Sequence, residues 1–169
     1  MDNIKKELKN YINNNLEKDK KSLFDFFAQQ EKCESSFEGV KFRKANNIKN
    51  YIDENNQYSN FQTMLFNLID NKNLKDSDVY NRVHIDRRLF SKIRSNKDYH
   101  PSKETIILLG IALELSENEL DELLESASYS LPKNNEYDLI IRFCFINKIF
   151  KIKDINDLLY EYDCKLFNY

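Results

Sequence analysis

The chain has 169 residues, of which 26 are lysine or arginine, 28 are aspartate or glutamate and 41% are hydrophobic. A chain of this length forms one domain, or a compact domain with an appendage, and its 12 phenylalanines and 10 tyrosines argue against a disordered chain. Only two glycines and two prolines are present, too few for the many tight turns of a sandwich or barrel. The composition therefore predicts an all-α protein.

The sequence also argues against several locations. No apolar stretch approaches the roughly 20 residues that span a bilayer, and the charged residues 1–7 are not followed by the apolar region of a secretory signal. The three cysteines lack paired spacing, which is typical of a reducing compartment. Together these observations predict a cytoplasmic protein that does not contact a membrane.

The residues that could bind a metal or take part in catalysis are scattered along the chain. Cys33, His84, His100 and Cys144 stand singly, so no metal site is expected. The two glycines stand apart, which excludes a phosphate-cradling loop, and no cofactor is predicted. Neither histidine has a serine or cysteine nucleophile in a recognised arrangement. The sequence therefore predicts that the protein is not an enzyme and has no catalytic residues.

Residues 1–58 form an N-terminal segment of unknown role. Ile4, Leu8, Ile12 and Leu16 recur at the spacing of an amphipathic helix. Ser22 is positioned to cap a second short helix, and the apolar residues within 42–52 indicate a third. We therefore expect this segment to be helical.

Residues 59–131 have a tighter apolar pattern, which predicts five short helices. The first carries the apolar positions of residues 61–69, the second covers residues 76–83 and the third covers residues 86–94. The fourth opens at Pro101 and Ser102, and Ser116 with Glu119 has the form of a capping box that begins the fifth. Pro132 then separates residues 132–169, whose two apolar stripes predict a helical hairpin packed on this domain.

The near-neutral total charge hides two oppositely charged stretches. Residues 75–103 hold eight basic and four acidic residues, a net charge of +4. Residues 104–131 hold seven acidic residues and no lysine or arginine, a net charge of −7. A basic face beside an acidic one is therefore expected.

The order of residues in 74–97 resembles the helix-turn-helix core of the phage repressor and Cro (Xre-type) family. Five apolar residues can pack the two helices of that motif together: Val79, Val83, Ile85, Phe90 and Ile93. Residues 101–116 resemble the family's fourth helix, with a Pro-Ser start, a Glu-Thr pair and an Ala-Leu end before a serine cap. The resemblance implies an all-α, lambda-repressor-like five-helix domain, flanked by the N-terminal helical segment and the C-terminal hairpin.

In that family the second helix of the motif lies in the major groove of double-stranded DNA and reads base edges. The resemblance therefore assigns base readout to four residues of helix 86–94: Arg87, Arg88, Ser91 and Lys92. Four further residues occupy positions where phosphate contacts are expected: Lys75, Arg94, Ser95 and Lys97. These assignments imply a bacterial, sequence-specific DNA-binding protein that regulates transcription. We expect a homodimer, because a single module gives a small interface.

Four residues depart from the family's pattern. Asp76 stands where glutamine usually anchors a phosphate, and Tyr80 stands where a small residue is usual. His84 replaces the usual glycine at a turn position that tends to need a positive φ. Asp86 favours the start of a helix but is an unfavourable neighbour for DNA.

A second hypothesis therefore stays open. The same segment, taken with the hairpin, resembles modules of low-GC Gram-positive bacteria that are attached to other domains, including macro domains. Such usage is typical of an adaptor that binds a protein partner, here through residues 104–125 or 136–162, and that does not read DNA.

Overall fold

The computed structural model describes residues 2–30, 60–96 and 99–168, and all regular structure within these ranges is helical. The described helices are α1 (Asp2–Gln30), α2 (Phe61–Asn71), α3 (Asp76–Arg82), α4 (Arg87–Ser95), α5 (Lys103–Ala112), α6 (Glu117–Glu125), α7 (Glu136–Ile146) and α8 (Ile152–Glu161). The prediction of an all-α protein is therefore confirmed for the described residues. None of these helices combines the length and the apolar character needed to cross a membrane.

Helix α1 differs from the sequence prediction. It runs without interruption from Asp2 to Gln30, so Ser22 lies inside it and does not begin a second helix. The physical reason is that residues 17–21 contain no glycine or proline and consist mainly of lysine and glutamate, which are strong helix formers. The helix predicted within residues 42–52 lies outside the described residues.

Helices α2 to α6 correspond to the five helices predicted in residues 59–131, and all of them except α3 begin at a side-chain cap. The side-chain oxygens of Asn60 and Ser102 accept hydrogen bonds from backbone N–H groups at the starts of α2 and α5. At α6 the backbone N–H of Ser116 donates to the Glu119 carboxylate at 2.7 Å, and the Ser116 hydroxyl accepts from the Glu119 N–H. The predicted capping box is therefore confirmed.

Six of the described helices end in the same kind of tight turn. After each helix one residue has a φ between 49° and 59°, and the N–H of the next residue donates to a carbonyl five residues earlier, as in the bond from Ile85 to Tyr80. This is the Schellman motif. The residues at positive φ are Asn73, His84, Glu114, Ser128, Lys148 and Asp163. The protein therefore forms six tight turns without using glycine in any of them, so its glycine content is a poor measure of how many such turns it has.

Helix α5 forms the centre of the core. All its residues from Ile106 to Ala112 are buried. Gly110 lets α6 and α7 approach it closely, since a Cβ at this position would lie 2.8 Å from the Leu120 Cδ1 and 3.3 Å from the Phe145 Cζ. A side chain at position 110 would therefore force these neighbours to move.

Arg142 joins the C-terminal hairpin to α6. Its guanidinium donates two hydrogen bonds to the Asp121 carboxylate, both at 2.9 Å, and one to Glu117 at 2.7 Å, while its Nε donates to the Leu131 carbonyl at 2.8 Å. Burial opposes the charge of Arg142, but the hydrogen bonds to Asp121 and Glu117 outweigh this effect and raise its pKa. These bonds fasten α7 to α6 and to the segment between them.

Two further contacts hold α7 and α1 in place. The buried Asp138 carboxylate at the start of α7 accepts a hydrogen bond from Lys103 at 2.6 Å, which ties α7 to the start of α5. Helix α1 packs on α7, where the Tyr11 and Phe143 rings lie 5.6 Å apart. Leu8 and Ile12 are buried in the same core as α5.

Candidate nucleic-acid interface

Helix α4 is anchored by its apolar face. Phe90 and Ile93 are buried, and the Phe90 ring lies 5.5 Å from the Tyr80 ring of α3 and 6.1 Å from the Phe66 ring of α2. At the end of α4 the Gln62 side chain donates hydrogen bonds to the carbonyls of Ile93, at 2.9 Å, and of Arg94. The helix is therefore held on one side and at its C-terminal end.

The opposite side of α4 carries the four residues to which the family resemblance assigned base readout: Arg87, Arg88, Ser91 and Lys92. All four are exposed, as predicted. At about 100° per residue they lie within an arc of about 140°, opposite Phe90 and Ile93. The structure therefore brings them together on one surface, which we call the α4 face.

Charges on the α4 face have few internal partners. Neither Arg87 nor Arg88 forms an ion pair with a described residue. The Lys92 ammonium lies 4.3 Å from the centre of the Tyr99 ring, a cation–π contact. The Asp86 carboxylate accepts a hydrogen bond from the Arg88 backbone N–H at 2.6 Å, so it serves as the N-cap of α4.

The residues assigned to phosphate contacts lie in different environments. Lys75, at the start of α3, and Ser95, at the end of α4, are exposed, while Lys97 lies outside the described residues. Arg94 is exposed but already has two partners within the protein. Its guanidinium lies 2.5 Å from the Asp76 carboxylate and 3.9 Å from the centre of the Phe66 ring. Arg94 therefore joins α4 to both preceding helices, and its charge is balanced by Asp76.

Two of the departures from the family pattern are accommodated by local structure. His84 has a φ of 53°, which confirms that this turn position needs the left-handed region. Tyr80 is partly buried and packs its ring against Phe90. Together with Lys75, Arg87 and Ser91, Tyr80 also lines a groove of about 400 Å³ between α3 and α4.

The acidic stretch of residues 104–131 makes mostly internal contacts. Glu104 pairs with Lys165 at 2.5 Å and Glu114 with Arg82 at 3.4 Å, while Glu117 and Asp121 both pair with Arg142. Glu119 belongs to the capping box, where its hydrogen bonds with the Ser116 backbone and hydroxyl hold its pKa below the usual range. Five of the seven acidic residues therefore have ion-pair or hydrogen-bond partners within the protein.

Sequence reasoning missed three residues that shape the α4 face. These are Gln62, Phe66 and Tyr99. Gln62 is separated by 31 and 32 positions from the carbonyls that it binds, and no short-range spacing indicates such a contact. The sequence did give a weak indication of the contact between Tyr99 and Lys92, because Tyr99 is an aromatic residue that closely follows a basic helix.

Comparison of the chain with protein-family models, with curated proteins and with solved structures finds no match. Within the described ranges, no group of three or more histidine, cysteine, aspartate or glutamate residues is arranged to hold a metal ion. The functional argument therefore depends on the α4 face itself.

Proposed function

We propose that the protein is a sequence-specific DNA-binding regulator of transcription. In this proposal α2 to α6 form a lambda-repressor-like helix-turn-helix domain, and α4 enters the major groove of double-stranded DNA. Arg87, Arg88, Ser91 and Lys92 read base edges, and Lys75, Ser95 and Lys97 contact phosphates. Arg94 reaches a phosphate only when it leaves Asp76.

The observation that carries the proposal is the exposed α4 face, where Arg87 and Arg88 have no acidic partner among the described residues. An arginine can donate two parallel hydrogen bonds to the O6 and N7 atoms of guanine, and each such pair contributes about 1–3 kcal/mol of discrimination between bases. Arg87 and Arg88 are adjacent at the start of a helix whose opposite face is packed against the core. They are therefore suited to bind a DNA site that contains guanine.

The backbone of the α4 region supports the same geometry. Asp86 directs its carboxylate to the backbone N–H of Arg88, which neutralises part of the charge that would face the DNA. The Gln62 hydrogen bonds fix the other end of α4. A helix that is capped at both ends presents its side chains at fixed positions, which favours selective readout over loose electrostatic binding.

The test is selection of bound sequences from a random duplex library at low salt, followed by binding measurements on the selected duplex. The protein is expected to enrich a site that contains guanine, and the variant Arg87→Ala with Arg88→Ala is expected to lose at least tenfold in affinity. The matched control is Lys6→Ala with Lys9→Ala, which removes two exposed positive charges from α1. In binding measurements at about 0.15 M salt, this control is expected to leave the affinity within about twofold, because neither lysine belongs to the α4 face.

The competing hypothesis is an adaptor that binds a protein through residues 104–125 or 136–162. It predicts that no duplex is enriched, and that the two double variants behave alike. Either result would reject DNA readout by α4.

A further inference from the structure

A second groove, of about 380 Å³, shares no lining residue with the α4 face. Three parts of the chain meet there: the turn after α3, the end of α5 and the start of α8. Val83 and His84, which belong to the turn directly before α4, form one wall. The volume lies within the range of about 300–1,000 Å³ that is typical of small-molecule sites.

The floor of this groove is apolar. Val83, Ile111, Ala112 and Ile152 line it and are buried, and the Phe150 ring beside them is partly buried. Val83, Ile111 and Ala112 are at most 2% exposed, so a ligand covers mainly the Phe150 ring. An aromatic ring favours a flat apolar body that can stack on it.

The rim of the groove is basic. Arg82, Lys151 and Lys153 line it, against the single carboxylate of Glu114. Lys151 and Lys153 are exposed and form no ion pair with a described residue. These two lysines therefore supply positive charge that the described protein does not balance.

Arg82 retains hydrogen-bonding capacity as well. Its Nη1 donates to the Ala112 carbonyl at 3.0 Å and to Glu114 at 3.4 Å. Its Nε and Nη2 donate to no described residue, and these two nitrogens form the planar fork that matches a phosphate or carboxylate. The contact with Ala112 fixes this side chain at the edge of the groove.

We infer that this groove binds a small anionic molecule with a planar apolar body, of the size and chemistry of a nucleotide. The phosphate lies against Arg82, Lys151 and Lys153, and the ring packs against Phe150. The occupant touches the turn that directs α4. Its effect on DNA binding rests on the proposed function, and linkage then requires DNA and ligand to change each other's affinity by the same factor.

The test is calorimetric titration of the full chain with AMP in the absence of DNA. AMP is expected to bind at a single site, and adenosine and inorganic phosphate are each expected to bind at least tenfold more weakly, since each fills only half of the groove. The variant Lys151→Glu with Lys153→Glu is expected to weaken AMP binding at least tenfold. Lys151→Arg with Lys153→Arg is expected to keep it.

The matched control is Lys6→Glu with Lys9→Glu, which makes the same change of charge on α1. An equal loss in the groove variant and in this control would overturn the inference, as would absence of AMP binding at millimolar concentration. Backbone NMR shifts on addition of AMP to the unmutated chain provide a measurement that does not depend on any variant. They are expected at residues 82–84 and 150–153, and shifts confined to other residues would contradict the site.

These measurements use no DNA, so their failure leaves the proposed function standing. Conversely, a chain that binds AMP but selects no duplex would reject the proposed function and keep the site. The regulatory step is tested by measuring DNA affinity with and without saturating AMP. An unchanged affinity would reject the coupling alone.

Discussion

The Arg94 guanidinium and the Asp76 carboxylate lie 2.5 Å apart and join the last turn of α4 to the first turn of α3. Considered alone, Arg94 attracts a phosphate and Asp76 repels it. Because they pair, the basic end of α4 loses one positive charge and the start of α3 loses one negative charge. The pair therefore lowers the electrostatic contribution that this edge of the α4 face makes to DNA binding.

Breaking this pair is expected to strengthen DNA binding. Asp76→Asn releases Arg94 for a phosphate, so the affinity is expected to rise several-fold and the log–log salt slope is expected to steepen by about one unit. The matched control is Asp78→Asn, which removes the same charge from an exposed residue of α3 that forms no described ion pair. Fluorescence anisotropy over a salt series measures both. Equal effects of the two variants would show that total charge matters and the pair does not.

Loss of the Arg142 network is expected to destabilise the fold. The Arg142 side chain is 11% exposed, and Arg142→Met leaves Glu117 and Asp121 without a partner. Because these two acids are about one-third exposed, the expected cost is about 2–3 kcal/mol, below that of a fully buried pair.

The control for this prediction is Arg82→Met. The Arg82 side chain is 46% exposed and its ion pair is longer, at 3.4 Å, so the expected cost is under about 1 kcal/mol. Urea unfolding of both variants measures the difference. Equal losses would contradict the account of how α7 is held to α6.

A glycine in one of the six turns is expected to stabilise the protein. Lys148 is exposed and has a φ of 55°, a conformation that costs a residue with a Cβ about 1 kcal/mol. Lys148→Gly is therefore expected to raise the free energy of unfolding by about 0.5–1 kcal/mol. Lys148→Ala also removes the lysine but keeps the Cβ, and is expected to give no gain. A gain of the same size with alanine would assign the effect to the lysine side chain.

Stability is expected to fall at alkaline pH because of the buried Cys144. Burial raises the pKa of the Cys144 thiol to about 12. This pKa is higher in the folded state than in the unfolded chain, so the neutral thiol contributes to stability. That contribution is complete below about pH 8.5 and is lost as the pH rises towards the pKa of the folded state. The full slope for one such group is about 1.4 kcal/mol per pH unit.

Urea unfolding at pH 7, 9 and 10 tests this effect. Cys144→Ala is expected to be less stable at pH 7, because it leaves a cavity, but to lose less stability as the pH rises. Burial also raises the pKa values of Tyr137 and Tyr11, so part of the decline remains in the variant. Parallel pH profiles of the two proteins would contradict the role of Cys144.

The features that sequence reasoning predicted correctly are those set by nearby residues. The capping box joins Ser116 and Glu119, which are three positions apart, and the outward placement of Arg87 and Arg88 follows from helical periodicity. The positive φ at His84 was expected from the family resemblance, because glycine is usual at that turn position.

The features that sequence reasoning missed depend on tertiary contacts. Asp76 and Arg94 are 18 positions apart, and Gln62 lies 31 positions from Ile93. No local pattern specifies that these residues meet, because their distance is fixed by the packing of α2, α3 and α4 on the core. The glycine count was also a poor guide to turns, because side chains such as Lys148 occupy the left-handed region at a modest cost.

The central claim is that Arg87 and Arg88 read bases from α4. It is tested most directly by repeating the duplex selection with Arg87→Ala alone and with Arg88→Ala alone. Each variant is expected to lose the preference for guanine at one position of the selected site and to keep the preferences elsewhere. Recovery of the same complete site by both variants would contradict the claim.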